Sequence, residues 1–541
     1  MEGTIKVLIS DKLDGEAIDL LRERGMEVDY LPDPDLDVLG DKLKHAEGWI
    51  VRSGTQVTAE LLAIAPALRV IGRAGVGVDN IDVAEATRRG IAVLNTPSGN
   101  TVAAVEHTLA MLLSLVRNIP QAHGSLVVGR EWRRSEFAGI ELYGKTLGIV
   151  GLGKIGSRVA TRCRAFEMEL LGFDPYLPAE RAESLGVELF ADLDEMLARC
   201  DFITLHMPGT AETENLLNSE RISRLKRGVR VVNCARGNLV DETALVAALV
   251  SGQVGGAAID VFRTEPALDS PFLDAPNVIV TPHLGASTVE SQRKVGLQVA
   301  AQVADAMQEG IFQDAVNIPV RDWALFKKLT PQLTMVERLG SVAQQYSHAG
   351  ISRIEVEYRG GPFEEVPALN NTLLKGLLTP VLGDSVNAVN APLLARERGL
   401  VISHTLHDES ADYNSLVKIR VHSPSHCHTL SATTFADRLP RLVELDGHDV
   451  ELYLEGNLLV FLNLDRPGVI GDVGRVLGVQ DINIAHFSLG RKRVGGEALA
   501  VVVTDAPVPP AALLELESLA NMQWLKQISL TPLTTPVIAR N

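Results

Sequence analysis

Thr146-Leu147-Gly148-Ile149-Val150, then Gly151-Leu152-Gly153-Lys154-Ile155-Gly156, then a stretch ending in Leu171-Gly172-Phe173-Asp174, is the passage that decides the fold. The first five residues read as a buried strand and the glycine run as a turn into a helix. The last four read as the next strand, closed by an acid. A GxGxxG alone is a weak signal. With a strand before it, a helix after it and a carboxylate at the next strand end, it has the context of a dinucleotide site. Gly151 permits the tight turn, Gly153 lets the backbone approach a pyrophosphate, and Gly156 lets the helix pack on the strand. The unpaired N–H groups of the helix start then face the anion. Asp174 is placed to accept from the adenosine ribose hydroxyls and its charge repels a 2′-phosphate. Pro175-Tyr176-Leu177 offers no arginine to bind one. NAD is expected, rather than NADP.

Downstream, the same strand–helix alternation continues through Phe202 to Leu205, Val229 to Asn233, Ala257 to Val261 and Val278 to Val280. Three polar segments fall at the ends of these strands, where ligands collect in doubly wound folds. They are Asn233-Cys234-Ala235-Arg236-Gly237, Asp260-Val261-Phe262-Arg263-Thr264-Glu265-Pro266 and Thr281-Pro282-His283-Leu284-Gly285-Ala286-Ser287. An arginine, an acid and a histidine supply what oxidation of a 2-hydroxy acid needs. Arg236 is a bidentate fork for a carboxylate and polarises the 2-oxygen. His283 takes the hydroxyl proton, and Glu265, bonded to the other ring nitrogen, fixes the tautomer and favours the imidazolium. Taken singly, Glu265 reads equally as a turn acid and His283 as a capping or core histidine. Their recurrence at successive strand ends beside a nucleotide motif favours catalysis.

Upstream, Val7-Leu8-Ile9, Trp49-Ile50-Val51 and Val70-Ile71 read as strands of another parallel series, followed by a long apolar-periodic helix from Val102 to Arg117. That series lacks a closing helix of its own. The amphipathic stretch Val289 to Glu309, stopped by Gly310, suits a crossing back to it, so the second series is expected to be inserted into the first. Residues 321–450 read as scattered strands and many loops. From Asn457 onward the order is β-α-β-β-α-β, a ferredoxin-like unit.

The set of motifs resembles the D-2-hydroxyacid dehydrogenase family. The match rests on the glycine run, Asp174, Asn233 to Gly237, Asp260-Val261-Phe262, Glu265-Pro266 and Pro282 to Ser287. Arg73-Ala74-Gly75-Val76-Gly77-Val78-Asp79-Asn80, Asn95-Thr96-Pro97 and the terminal Asp465-Arg466-Pro467-Gly468 resemble its long-form members, which act on 3-phosphoglycerate and carry an ACT domain. The resemblance implies an α/β fold in which a Rossmann-type sheet interrupts a flavodoxin-like substrate domain. An α+β intervening domain and a βαββαβ ACT domain follow. The implied units are 1–98 with 289–320 for substrate, 99–288 for NAD, 321–453 intervening and 454–541 regulatory. Arg236, Glu265 and His283 are implied as catalytic. Cofactor contacts are implied at Val76, Gly151, Gly153, Lys154, Ile155, Gly156, Asp174, Met207, Cys234, Ala235, Arg236, Asp260, His283, Leu284, Gly285 and Ala286. Met207 stands where relatives often carry a polar residue, so its contact is expected through the backbone.

A phosphorylated substrate needs positive charge at its far end. Arg52 and Ser53, after one strand, and Arg73, after the next, are expected to supply it, with Arg134 reaching in from a loop of the same or a neighbouring subunit. L-serine is the implied effector, held by Asp465 and Asn483 between paired ACT units, and a homotetramer is the family expectation. Lys418, Arg420, Arg438 and Arg441 are a candidate anion site in the intervening region. His422, His426, Cys427 and His428 fit no standard metal spacing, and no metal is expected.

The 541 residues suffice for three or four domains at about 150 each. Lys and Arg total 51 against 68 Asp and Glu, a net charge of −17, and no concentrated basic patch offsets it. Nucleic acid is therefore an unexpected partner. No apolar run has the length of a membrane crossing, and the N-terminal residues lack a signal-peptide pattern. Four widely spaced cysteines argue against a disulfide scaffold and for a reducing cytoplasm.

Overall fold

The structure is a computed structural model that describes residues 4–530 apart from 211, 319, 321–327, 348–349, 362, 364, 409–412, 425 and 436–438. All five residues of Thr146–Val150 are buried. A strand covered on both faces belongs inside a parallel sheet with helices on either side. Its neighbours are Glu169–Phe173 on one side and Phe202–Leu205 on the other. The seven strands run in the order Val278–Val280, Val254–Ile259, Val229–Asn233, Phe202–Leu205, Thr146–Val150, Glu169–Phe173, Glu188–Phe190. All the pairings are parallel. Strand order reverses at Thr146–Val150, so a crevice opens at its carboxyl end, where the glycine run begins. Helix Gly156–Arg164 follows, burying Gly156, Val159, Ala160 and Cys163, one face at helical spacing.

The first sheet has five parallel strands in the order Glu27–Tyr30, Lys6–Ile9, Gly48–Val51, Val70–Arg73, Ala92–Leu94. That is the flavodoxin-like order. After Leu94 the chain builds the seven-stranded sheet and then returns through helix Val289–Glu309. Val295, Val299 and Val303 of this helix join the core formed by Val7, Ile9 and Ile50. A Cβ at Gly72 would lie 2.6 Å from Val303 Cγ2 and 2.7 Å from Val299 Cγ2, so only glycine admits the returning helix that close. The nucleotide-type sheet is thus an insertion.

Residues 330–453 are more regular than the sequence reading expected. Helices Thr330–Tyr346 and Val366–Leu382 cross where Gly340 and Gly376 let the backbones meet. They cover a six-stranded mixed sheet, Val401–His407, Arg353–Gly360, Ser415–His422, Cys427–Phe435, Leu439–Leu445, His448–Tyr453. The last unit has strand order Ile484–Arg491, Glu497–Thr504, Asn457–Leu464, Met522–Ser529, all antiparallel, with helices Val469–Val479 and Pro510–Glu517. One face of its sheet buries those helices through Leu459, Phe461 and Val502. The opposite face, through Leu458, Val460, Leu499 and Val501, shares a core with the intervening unit. Among the described residues no single helix is long and apolar enough to cross a membrane.

Candidate active site

Gly151 has φ 93°, and a Cβ there would lie 2.7 Å from the His206 carbonyl oxygen and 3.1 Å from Met207 Cγ. A Cβ at Gly156 would collide with the Gly151 carbonyl, whereas nothing lies within 4 Å of one at Gly153. Two of the three glycines therefore serve the chain's own packing. Gly153 leaves open the approach that a pyrophosphate uses. Ile155 caps the helix start, and Lys154 Nζ reaches across to the Pro97 carbonyl of the first unit at 3.4 Å. Asp174 accepts from the Leu152 N–H at 2.9 Å and the Tyr176 N–H at 3.0 Å. Each oxygen keeps acceptor capacity for a ribose hydroxyl. These residues fit an NAD adenosine half.

Strands Val229–Asn233, Val254–Ile259 and Val278–Val280 are consecutive in the sheet and parallel, so their carboxyl ends share one edge. A Cβ at Gly237 would collide with the Phe262 backbone, so glycine lets the Arg236 turn press against the loop that carries Glu265. His283 Nδ1 bonds Glu265 Oε2 at 2.8 Å, and Glu265 Oε1 accepts from the Phe262 N–H at 3.1 Å. The two side chains stay 41% and 37% exposed, so solvent and substrate reach the pair. Burial works to raise the Glu265 carboxyl, but the His283 ring and the Phe262 N–H outweigh it and hold the group below the ordinary glutamate value.

Asp260 is fully buried. Its Oδ1 accepts from Thr281 Oγ1 at 2.6 Å and the Leu284 N–H at 2.7 Å, and its Oδ2 from the Gly285 N–H at 2.9 Å. His107 Nε2 lies 3.0 Å from Oδ1. Burial pushes this carboxyl upward too, and His107, Thr281 and Leu284 together hold it below its ordinary value. Cys234 lies beside it, its thiol pushed up to about 12 by burial and then by the Asp260 charge. His107, Cys234 and Asp260 place ligand-type atoms within 4.8 Å of one another. With both Asp260 oxygens occupied by donors and the thiol kept protonated, the group is a hydrogen-bonded buttress. Ala235 N–H bonds Asn233 Oδ1 at 3.1 Å, and Asn233 Nδ2 bonds the Arg236 carbonyl at 2.8 Å, which shapes the arginine turn.

Arg236 crosses to the first unit, where its Nε donates to Asp79 Oδ2 at 2.9 Å and its guanidinium lies against Gly77. The Arg73 guanidinium lies against Gly75 in the same loop, and its buried Nε has no hydrogen-bond partner among the described residues. Burial, then the Arg236 charge, pulls Arg73 down to about 10. Arg52 adds to that field; its N–H bonds Asp11 Oδ2 at 2.5 Å and its Nη1 the Lys12 carbonyl at 3.1 Å. Ser53 beside it is exposed, and the Val76 carbonyl accepts from Asn95 at 2.6 Å. Arg52, Arg73 and Arg236 thus form one cationic cluster, with Asp79 paired to Arg236 and Asp11 taking the Arg52 N–H. Arg134, at the head of the short turn Arg134–Phe137, stands apart. Among the described residues no hydrogen bond or ion pair joins it to the cluster.

Other predicted sites separate. Asp465 follows strand Asn457–Leu464 and accepts from the Gly495 N–H at 2.9 Å, while Asn483 donates to Asp505 at 2.8 Å. The register Asn457↔Thr504↔Ile484 puts Asn483 at the sheet end opposite Asp465. A single chain does not bring them together. The intervening-region anion site is contradicted: Lys418 is held by Glu444, Arg420 by Glu357 and Arg441 by Glu451, so their charges are already neutralised. Arg438 lies outside the described residues. His428 Nδ1 bonds Asp446 at 2.9 Å, and His422 faces Glu355 at 3.5 Å. Sequence reasoning missed Asp79 and His107. The second carried a signal, since His107 falls on the buried stripe Ala104, Thr108, Met111 of helix Thr101–Val116.

Residues 109–285 match the model of the D-isomer specific 2-hydroxyacid dehydrogenase NAD binding domain, 328–446 that of the D-3-phosphoglycerate dehydrogenase intervening domain, and 457–521 the ACT domain. The chain is 41% identical over 527 residues to the D-3-phosphoglycerate dehydrogenase of Methanocaldococcus jannaschii, covering 97% of this chain and 100% of the relative. It is 41% identical over 528 residues to that of Bacillus subtilis, covering 97% and 99%. Aquifex aeolicus D-lactate dehydrogenase, solved with NAD and lactic acid, superposes with a TM-score of 0.52 at 31% identity, covering 58% of this chain and all of that one. The chain belongs to the D-3-phosphoglycerate dehydrogenases of the D-isomer specific 2-hydroxyacid dehydrogenase family.

Proposed function

We propose that the chain oxidises the C2 hydroxyl of D-3-phosphoglycerate to the ketone of 3-phosphohydroxypyruvate, the first committed step of L-serine synthesis. NAD, when bound, is the hydride acceptor. The observation that carries this reading is the 2.8 Å Glu265–His283 pair on the sheet edge that also carries Arg236. With Nδ1–H given to an ionised Glu265, the His283 Nε2 lone pair is left as the base for the hydroxyl proton. Glu265 then stabilises the imidazolium as hydride leaves C2. Arg236 grips the substrate carboxylate and polarises the 2-oxygen. Arg52, Ser53 and Arg73 receive the phosphate, which matches two neighbouring guanidiniums better than an unphosphorylated chain would.

In this reading residues 1–98 with 289–320 bind substrate, and 99–288 bind NAD. Gly151, Gly153, Lys154, Ile155 and Gly156 hold the pyrophosphate and Asp174 the ribose. Val76, Met207, Cys234, Ala235, Asp260, Leu284, Gly285 and Ala286 line the remainder. Residues 454–541 serve regulation by L-serine, held between the Asp465 of one copy and the Asn483 of another, and 321–453 form the intervening unit. Oligomerisation to a homotetramer in the cytoplasm completes the proposal. It is supported by an exposed apolar face that includes Val128 and Trp132, 84% and 82% accessible, close in sequence to Arg134. NADH formation with D-3-phosphoglycerate and with 2-hydroxyglutarate, each with and without L-serine, tests the reading. Turnover confined to the phosphorylated acid and lowered by serine supports it; preference for 2-hydroxyglutarate overturns it.

A further inference from the structure

The turn that carries His283 is held almost entirely by one residue. His283 has a left-handed backbone, φ 53°, and its N–H bonds the Asp260 carbonyl at 2.9 Å. The Asp260 carboxylate takes the next two N–H groups, of Leu284 and Gly285, together with the Thr281 hydroxyl. All these partners lie on the turn itself. Among the described residues the donor from another element is His107 Nε2, which hydrogen-bonds Thr281 Oγ1 at 3.1 Å and lies 3.0 Å from Asp260 Oδ1. The Thr281 hydroxyl gives its hydrogen to Asp260, so its oxygen is the acceptor here and Nε2 carries the proton. His107 sits on helix Thr101–Val116, which packs across the three strands that end at the site.

We propose that His107 is a positioning residue for this reaction. By donating to Thr281 Oγ1 and lying against Asp260 Oδ1 it fixes the hydroxyl–carboxylate pair on which residues 281–285 hang, and so sets where the His283 imidazole stands relative to the substrate hydroxyl. The proposal rests on the reading of His283 as the base. A fully buried carboxylate that loses one strong donor rotates or recruits water, and the turn it holds shifts with it.

His107→Leu removes the donor, and His107→Gln keeps an N–H at similar reach. Both are compared with the unaltered chain for kcat and KM with D-3-phosphoglycerate, NADH binding by fluorescence titration, thermal midpoint, and amide exchange at Leu284 and Gly285. For His107→Leu we expect kcat to fall about 10- to 100-fold with the substrate KM within about threefold. Exchange at the two amides should quicken about tenfold, and His107→Gln should recover most of both. A His107→Leu kcat within about twofold of the unaltered chain overturns the proposal, as does unchanged amide exchange. Equal impairment of Leu and Gln variants, with a lowered thermal midpoint, assigns His107 a merely structural role and also overturns it. Should His107→Leu not fold, His107→Asn, whose N–H is too short to reach Asp260, takes its place with the same outcomes. An unaltered chain that fails to reduce NAD with any 2-hydroxy acid refutes the functional reading, and the amide exchange still decides the positioning role.

Discussion

His283 occupies a backbone region that non-glycine residues seldom adopt, and it persists because Asp260 and Thr281 accept its N–H and Glu265 takes its ring. Glu265→Gln keeps a hydrogen-bond acceptor and loses the charge, so kcat should drop about 10- to 100-fold while NADH affinity holds, as steady-state kinetics and coenzyme titration will read. Asp260, held below its ordinary 3.8, contributes stability that is complete above that value and fades as pH falls through its lower folded-state value. Chemical denaturation of Asp260→Asn as a function of pH should therefore lose less stability in that acid window than the unaltered chain. Asp174→Ser should narrow the preference for NAD over NADP by about tenfold or more, measured as the ratio of kcat/KM values, because the charge facing a 2′-phosphate goes. At this scale most of the site was legible: an arginine, an acid and a histidine at successive strand ends declare themselves by position. Asp79 did not, because it meets Arg236 only across two separately folded sheets, a contact no local pattern encodes.

Buried runs such as Thr146–Val150 and Gly48–Val51 announce strands because both faces are covered and every residue is apolar or small. Glu27–Tyr30, an edge strand with only partial burial, and the three-residue Glu188–Phe190 gave no such run and were missed. Helices Thr330–Tyr346 and Val366–Leu382 were obscured differently. Each has buried residues on much of its circumference, so the polar–apolar alternation that marks a surface helix is faint. Their crossing depends on Gly376, where a Cβ would collide with the Glu337 carbonyl. Gly376→Ala should separate the pair and destabilise the intervening unit by about 1–3 kcal/mol, seen in denaturant unfolding, with NADH affinity of the catalytic half unchanged.

The insertion of one sheet into another leaves Arg52 and Arg73 on one side of the junction between the sheets and Arg236 with the imidazole–carboxylate pair on the other. Arg236 and Lys154 already span it, to Asp79 and Pro97. The sequence exposed this architecture through the unclosed first series and the returning helix Val289–Glu309. It did not expose the shared core between the terminal unit and the intervening sheet, since Leu458 and Val460 read only as a strand face. At this scale belong the roles proposed for Arg134 and for the serine site, which draw on other copies of the chain. Arg134→Ala should raise KM for D-3-phosphoglycerate much more than for an unphosphorylated 2-hydroxy acid, and equal effects on both would remove it from the phosphate site.

The proposed convergence of imidazole, carboxylate and guanidinium at the coenzyme's reactive face is tested most directly by following NADH formation from D-3-phosphoglycerate in the unaltered chain and in His283→Ala. Steady NADH formation is expected from the first and a loss of about 100-fold or more in the second, with NADH binding retained. Equal rates in the two proteins, or no NADH from the unaltered chain, would contradict it.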